Sequence, residues 1–125
     1  MRVKGVAWVG VKTSSLDVSA RFFEQVLGLR ADRRDGGFAA FRFPDGGALE
    51  LFGPEGPAGP EQFRENKVVV GFLVEDIDAA TRELRSAGVE LVGQLQRNPR
   101  SGYAWQHFRG PDGLLYELTY DPTHR

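Results

Sequence analysis

The residues of this chain that could do chemistry stand in a phrase that occurs twice. Phe41-Arg42-Phe43-Pro44-Asp45-Gly46-Gly47-Ala48-Leu49-Glu50-Leu51 recurs 67 residues later as Phe108-Arg109-Gly110-Pro111-Asp112-Gly113-Leu114-Leu115-Tyr116-Glu117-Leu118. The shared frame, F-R-x-P-D-G-x-x-x-E-L, places Glu50 and Glu117 at the same point of two copies. A repeat at this spacing implies two similar modules. Two matched carboxylates can fix a cationic or hydrogen-bond-donating ligand, or supply half of a divalent metal site. Which of these holds depends on what stands beside them.

The turn chemistry sets the neighbours. Proline presets φ for the first turn position, Asp bonds back to its own backbone, and Gly takes the left-handed position. With Pro44-Asp45-Gly46 as a three-residue hairpin loop, Phe43 faces Gly47 and Ala40 faces Glu50. The same rule puts His107 opposite Glu117. His107 is therefore a candidate general base oriented by a carboxylate, although such pairs also occur as plain structural pairs. Period-two alternation sends Leu49, Leu51, Tyr116, Leu118 and Tyr120 to one face, and Glu50, Ala48, Phe52, Glu117, Leu115 and Thr119 to the other. Tyr103, Trp105 and His107 alternate onto the glutamate face. An exposed sheet face does not usually carry that aromatic load, so this face is expected to line a concave surface.

The elements that must position these residues repeat as β-α-β-β-β. Val3 to Val11 reads as a buried strand. A helix capped by Ser14 or Ser15 runs to about Leu27, with Leu16, Ala20, Phe23 and Leu27 on its apolar stripe, and Gly28 stops it. Leu29 to Arg34 is a short strand, and 38–43 with 47–53 form the first hairpin. After a Pro/Gly-rich linker over 54–66, the order returns. A strand spans 67–74, a helix 76–87 is stopped by Gly88, a strand covers 89–95, and 103–109 with 114–120 form the second hairpin. Residues 1–53 are thus one module, 67–120 the other, and 121–125 a frayed tail with a solvated His124.

Composition excludes several classes. The 125 residues carry a net charge of −1, which leaves no basic excess for nucleic acid. Arg33-Arg34 and Arg97/Arg100 read as solvated loop charges. There is no cysteine, hence no disulfide, thiolate nucleophile or Cys-type zinc site. No apolar run is long enough to span a membrane. The stretch 5–11 between Lys4 and Lys12 has the look of a short signal-peptide apolar region, but reads better as a strand. A cytoplasmic location is the expectation.

With these residues in view, the chain resembles the vicinal oxygen chelate superfamily, which includes glyoxalase I, extradiol dioxygenases, fosfomycin-resistance enzymes and bleomycin-resistance proteins. The double β-α-β-β-β order, Phe22-Phe23-Glu24-Gln25-Val26-Leu27-Gly28-Leu29 for the usual F-Y-x-x-V-L-G-L, and the two P-D-G-x-x-x-E-L endings carry the resemblance over nearly the whole chain. It implies an α+β fold whose two modules curl one sheet around a U-shaped cleft, often within a homodimer. It also implies four metal-ligand positions in metal-dependent members. Glu50 and Glu117 hold the last-strand positions. The first-strand positions, found by counting back fourteen residues from Phe22 and by matching 70–74 to the family strand, are Trp8 and Val69. Neither side chain has a lone pair for a divalent ion, and two carboxylates leave most of an octahedral shell to water.

The expected function is therefore metal-free binding of a small organic ligand, cationic or aromatic, with no cofactor. Trp8, Phe38, Phe52, Tyr103 and Trp105 would offer flat apolar surfaces, with Val69 beside them and Glu50, His107 and Glu117 as polar anchors. An open question is whether Trp8 lines the cleft or fills the space a metal would need. Three alternatives stand. One is a metal-dependent lyase, isomerase or dioxygenase using Glu50 and Glu117; another is a metal-free enzyme with His107 as base. The third is an interaction module with no small ligand.

Overall fold

The computed structural model describes residues 1–56, 63 and 66–124. The first module comprises β1 (Val3–Lys12), α1 (Leu16–Arg21), β2 (Ala31–Arg34), β3 (Phe38–Arg42) and β4 (Ala48–Phe52). The second comprises β5 (Val68–Val74), α2 (Ile77–Ser86), β6 (Glu90–Arg97), β7 (Ala104–Arg109) and β8 (Leu115–Tyr120). The expected β-α-β-β-β order is present in both. The linker expected over 54–66 lies largely outside the described residues.

Among the described residues, one curled, unclosed sheet of eight strands runs β2-β3-β4-β1-β5-β8-β7-β6. The pairing explains its symmetry. The first strand of each module lies parallel to the last, β1 to β4 and β5 to β8, and the modules join through the antiparallel β1–β5 pair within this one chain. Both helices pack on the same side. Leu16 and Ala20 of α1 meet Ala39, Phe41, Leu49 and Leu51, while Ile77 and Ala80 of α2 meet Val74, Ala104 and Leu118. The alternation along β4 and β8 thus turns Leu49, Leu51 and Leu118 toward the helices and leaves Glu50 and Glu117 on the opposite face.

Helix ends follow the local chemistry. Asp76 accepts a hydrogen bond from the Ala79 N–H at 3.0 Å, and Ser15 accepts one from Val18 at 3.5 Å. Gly28 and Gly88 end the helical segments at φ of +71° and +79°. The first helix differs from expectation. Its α-helical part ends at Arg21, and Phe22–Val26 continues as a π-turn in which the Leu27 N–H reaches the Phe22 carbonyl. The extra residue in that turn shifts the phase of the stripe. Phe23 still packs on the core, but Leu27 points to solvent.

The hairpin loops follow their turn chemistry. Gly46 and Gly113 take the left-handed position at φ of +93° and +83°. Asp45 and Asp112 accept from the Gly47 and Leu114 N–H at 2.8 and 2.9 Å. The repeated arginine also gains a reason: Arg42 Nη1 donates to the Gly46 carbonyl at 2.9 Å, and Arg109 Nη1 to the Gly113 carbonyl at 3.0 Å. Each clasps its own loop. The register is the expected one, with Ala40 paired to Glu50 and His107 to Glu117.

Two readings of the periphery need correction. Arg33, Arg34 and Arg97 stand on strands β2 and β6, not loops, and Arg34 bridges Glu24 and Asp17 while Arg97 holds Asp78. Residues 121–124 are anchored at both ends rather than frayed, although Pro122 and Thr123 between them are exposed. Asp121 is buried and accepts from the Thr123 N–H and hydroxyl. His124, half-buried rather than solvated, lies against Gly46 of the first hairpin.

Candidate functional site

On the face away from the helices lies a cavity of about 380 Å³ lined by Ala7, Trp8, Arg42, Ala48, Glu50, Phe52, Tyr103, Trp105, His107 and Glu117. That volume is within the usual range for small-molecule sites. Strands of both modules contribute. The expected positions Trp8, Glu50, Phe52, Tyr103, Trp105, His107 and Glu117 come together here. Phe38 and Val69 do not line it. They lie deeper, in an apolar cluster with Trp8, Phe52 and Phe63.

Trp8 explains both facts. It is only 6% exposed and belongs to that cluster, yet its indole Nε1–H donates to Glu50 Oε1 at 2.7 Å. The ring fills the space under the cavity and presents one edge to it. Its course depends on Gly10, the next residue on the same face of β1. A Cβ there would stand 2.2 Å from the indole, so only glycine lets the ring lie flat along the strand toward Glu50. Glu50 is paired in register with Gly10 itself.

The second glutamate has a similar arrangement with a different occupant. Glu117 is paired with Gly71, whose missing Cβ would come within 2.5 Å of the Thr119 hydroxyl and 2.8 Å of Glu117 Oε2. In that space the Thr119 hydroxyl donates to Glu117 Oε2 at 2.7 Å. On the other side, His107 Nε2 stands 3.2 Å from Glu117 Oε1. That approach is off the line of a hydrogen bond, and this buried nitrogen has no hydrogen-bond partner among the described residues. We read the contact as proximity without a directed bond, since an ion-pair distance alone does not fix alignment.

The electrostatics follow from burial. Glu50 is held above its ordinary range first by desolvation. The Trp8 hydrogen bond opposes this, the Glu117 charge adds to it, and Arg42 and Arg33 oppose it. Burial also pushes the Tyr103 phenol well above its ordinary value, with Glu117, Glu50 and Asp121 adding to the rise and Arg42 opposing it. Tyr103 therefore stays protonated and can donate a hydrogen bond. Tyr103 and Trp105, with ring centroids 5.9 Å apart, form an aromatic wall on the second module.

Metal-ligating capacity can be tested on these donors. Glu50 already accepts from Trp8, Glu117 from Thr119, and Val69 is an apolar residue sealed in the cluster. Among the described residues no three His, Cys, Asp or Glu side chains converge as a metal-holding group. Two of the four ligand positions that the family resemblance implies, Trp8 and Val69, thus carry no metal-ligating atom.

Arg42 is the charged cavity residue that sequence reasoning missed; Ala7 is a second, apolar one. A signal was present: β3 alternates Phe38, Ala40, Arg42 on the glutamate face, and the register pairs Arg42 with Ala48, two residues from Glu50.

A curled sheet of paired βαβββ modules with a cleft on its concave face defines a glyoxalase-like protein. Residues 5–118 match the family described as Glyoxalase/Bleomycin resistance protein/Dioxygenase superfamily, and the chain belongs to it. An uncharacterized protein of Mycolicibacterium smegmatis is 38% identical over 122 residues, covering 96% of each chain. Among solved structures, methylmalonyl-CoA epimerase of Streptomyces coelicolor in complex with 2-nitronate-propionyl-CoA aligns with a TM-score of 0.72 at 21% identity, covering 98% of this chain and 100% of its own. The Mycobacterium tuberculosis methylmalonyl-CoA epimerase aligns at 0.69 and 24% identity, covering 95% and 89%. At these identities the likeness is one of fold. No helix among the described residues is long and apolar enough to cross a membrane.

Proposed function

We propose that this chain is a metal-free binding protein for a small organic ligand, held in the cavity by Glu50 and Glu117 against the aromatic wall of Tyr103 and Trp105. The carrying observation is the 2.7 Å hydrogen bond from Trp8 to Glu50. An indole stands where the family resemblance implies a metal-ligating histidine, and it takes up one of the two carboxylates that remain. Buried carboxylates with aromatic walls are the ordinary make-up of a site for a cation or a hydrogen-bond donor. The Streptomyces epimerase, similar in fold, is in complex with 2-nitronate-propionyl-CoA, which supports a small organic molecule as the kind of ligand. A homodimer is the assembly this reading carries, as the commonest closed symmetry; light scattering that shows only a 13.9 kDa species would rule it out.

The test is titration with nickel, manganese and zinc alongside a ligand screen by tryptophan fluorescence. No stoichiometric metal binding is expected, and amine-bearing aromatic ligands should perturb Trp8 and Trp105. Tight one-to-one metal binding that disappears in Glu50→Ala and Glu117→Ala would sink the metal-free reading.

One observation favours a second reading, proton transfer without metal. His107 is 9% exposed, lines the cavity, and has its Nε2 unbonded beside Glu117. A ligand with an acidic C–H placed there would meet the unbonded Nε2 of an imidazole, a candidate general base. Exchange of ligand hydrogen for solvent deuterium, lost in His107→Gln, distinguishes an enzyme from a binder.

A further inference from the structure

The two modules treat their repeated arginines differently. Arg109, besides clasping its loop, donates from Nε to Glu90 at 3.1 Å. Arg42 clasps its loop through Nη1, and its nearest carboxylate among the described residues is Asp121, at 3.7 Å, beyond hydrogen-bond range. Its Nε and Nη2 have no hydrogen-bond partner among the described residues. Arg42 lines the cavity, and its charge is felt by both Glu50 and Tyr103.

The cavity is therefore polarised along its depth. Glu117 is 4% exposed and Glu50 is largely buried, so the carboxylates lie at the floor. Arg42 is half-exposed and stands at the mouth. Tyr103, part-buried and protonated, lines the same cavity, and its hydroxyl makes no hydrogen bond to any described residue. Arg42 is a diagonal neighbour of Glu50 across the β3–β4 pair, a relation that places their Cα atoms on the order of 7–8 Å apart. Both line the same cavity of about 380 Å³, which has room for one small molecule.

Resting on the cavity reading above, we propose that the ligand is a small zwitterion. Its cationic end enters first, to Glu50 and Glu117, and its anionic end stays at the mouth on Arg42 and Tyr103. A guanidinium with two uncommitted donor nitrogens suits a carboxylate or phosphate oxygen pair. A plain amine would satisfy the floor and leave Arg42 facing water. A plain acid would meet two carboxylates.

Three probes sharing one ring test this: 4-(aminomethyl)benzoate, benzylamine and benzoate, titrated by calorimetry and tryptophan fluorescence. The zwitterion should bind at least tenfold tighter than benzylamine, with benzoate weakest. In Arg42→Gln the ratio of zwitterion to benzylamine affinity should fall to near one. Arg109→Gln, which removes the equivalent loop clasp away from the cavity, should leave that ratio as in the wild type. Equal affinity for zwitterion and amine in the wild type, or a ratio that survives Arg42→Gln, overturns the zwitterion while leaving the cavity standing. A ratio lost equally in Arg109→Gln also overturns it, by assigning the effect to hairpin integrity. If none of the three probes binds at millimolar concentration, the cavity reading fails and this inference with it.

Discussion

Replacing Trp8 by alanine asks whether the indole holds the fold together or only decorates the cavity. Trp8 is 6% exposed and packs on Phe38, Phe52, Phe63 and Val69. Deleting a buried Trp side chain typically costs about 3–5 kcal/mol. Two further effects bear on the estimate. The edge facing the cavity can be taken over by water, which favours the lower end. The lost N–H leaves Glu50 Oε1 short of a partner in a mostly buried site, a loss of about 1–3 kcal/mol when no water replaces it. A net destabilisation of about 3–4 kcal/mol is expected, a large part of the 5–15 kcal/mol typical of a domain. In thermal terms that is roughly 10–15 °C for a chain of this size. Urea unfolding followed by far-ultraviolet circular dichroism reads it without relying on the deleted fluorophore. Trp8→Phe separates the two contributions, since it keeps most of the apolar volume and loses the N–H. It should cost about 1–2 kcal/mol. A Trp8→Ala loss below about 1 kcal/mol, or equal losses in the two variants, would refute the argument that Trp8 is a packed substitute for the missing ligand.

Two further outcomes follow from the same geometry. Gly10→Ala should destabilise the wild type, because its Cβ would stand 2.2 Å from the rigid indole. The cost should shrink in a Trp8→Ala background, giving a coupling of about 1–3 kcal/mol in a double-mutant cycle; additive losses would show that the indole can swing away freely. Glu50→Gln should raise thermal stability at neutral pH while weakening amine binding. Glu50 is held above its ordinary value of 4.5, so its contribution is favourable below that value and is lost as pH rises through the folded-state pKa. The variant's advantage in Tm should therefore be absent in acid, grow as pH rises past 4.5 and level off above the raised value. An advantage independent of pH would mean that ionisation of Glu50 is not its source.

Legibility in the sequence followed locality. The P-D-G loops encode their own turn, so a register derived from them placed Ala40 against Glu50 and His107 against Glu117. Alternation assigned faces but not depth. It could not tell that Phe38 and Val69 lie beneath the cavity while Phe52 reaches it, because that depends on where a rigid indole comes to rest. Phe63 joins the same cluster from a linker whose composition gives no hint of a core residue. The π-turn over 22–26 was invisible because its apolar spacing is compatible with an ordinary helix until Leu27 is seen in solvent. The tail was misread for a related reason. Burial of Asp121 depends on contact with the first hairpin, a long-range event, although its Asx turn onto Thr123 is a local signal.

The two modules share a scaffold and use it in opposite ways. Each glutamate is paired in register with a glycine of the first strand, Gly10 for Glu50 and Gly71 for Glu117. A missing Cβ beside each carboxylate opens a space, and symmetry alone would fill both alike. In the first module the Trp8 indole takes the space, and Phe38, Phe52 and Val69 close around it. In the second, Thr119 and Glu117 take the space themselves, and the positions equivalent to Phe38 and Ala40 are Trp105 and His107, both lining the cavity. One half has become a packed floor, and the other keeps the aromatic wall and the only histidine that lines the cavity. A symmetric, metal-centred site needs equal donors from both halves. This arrangement instead sets two carboxylates at the floor, an aromatic wall on one side and an arginine at the mouth, a polarity that runs along one axis of the cavity.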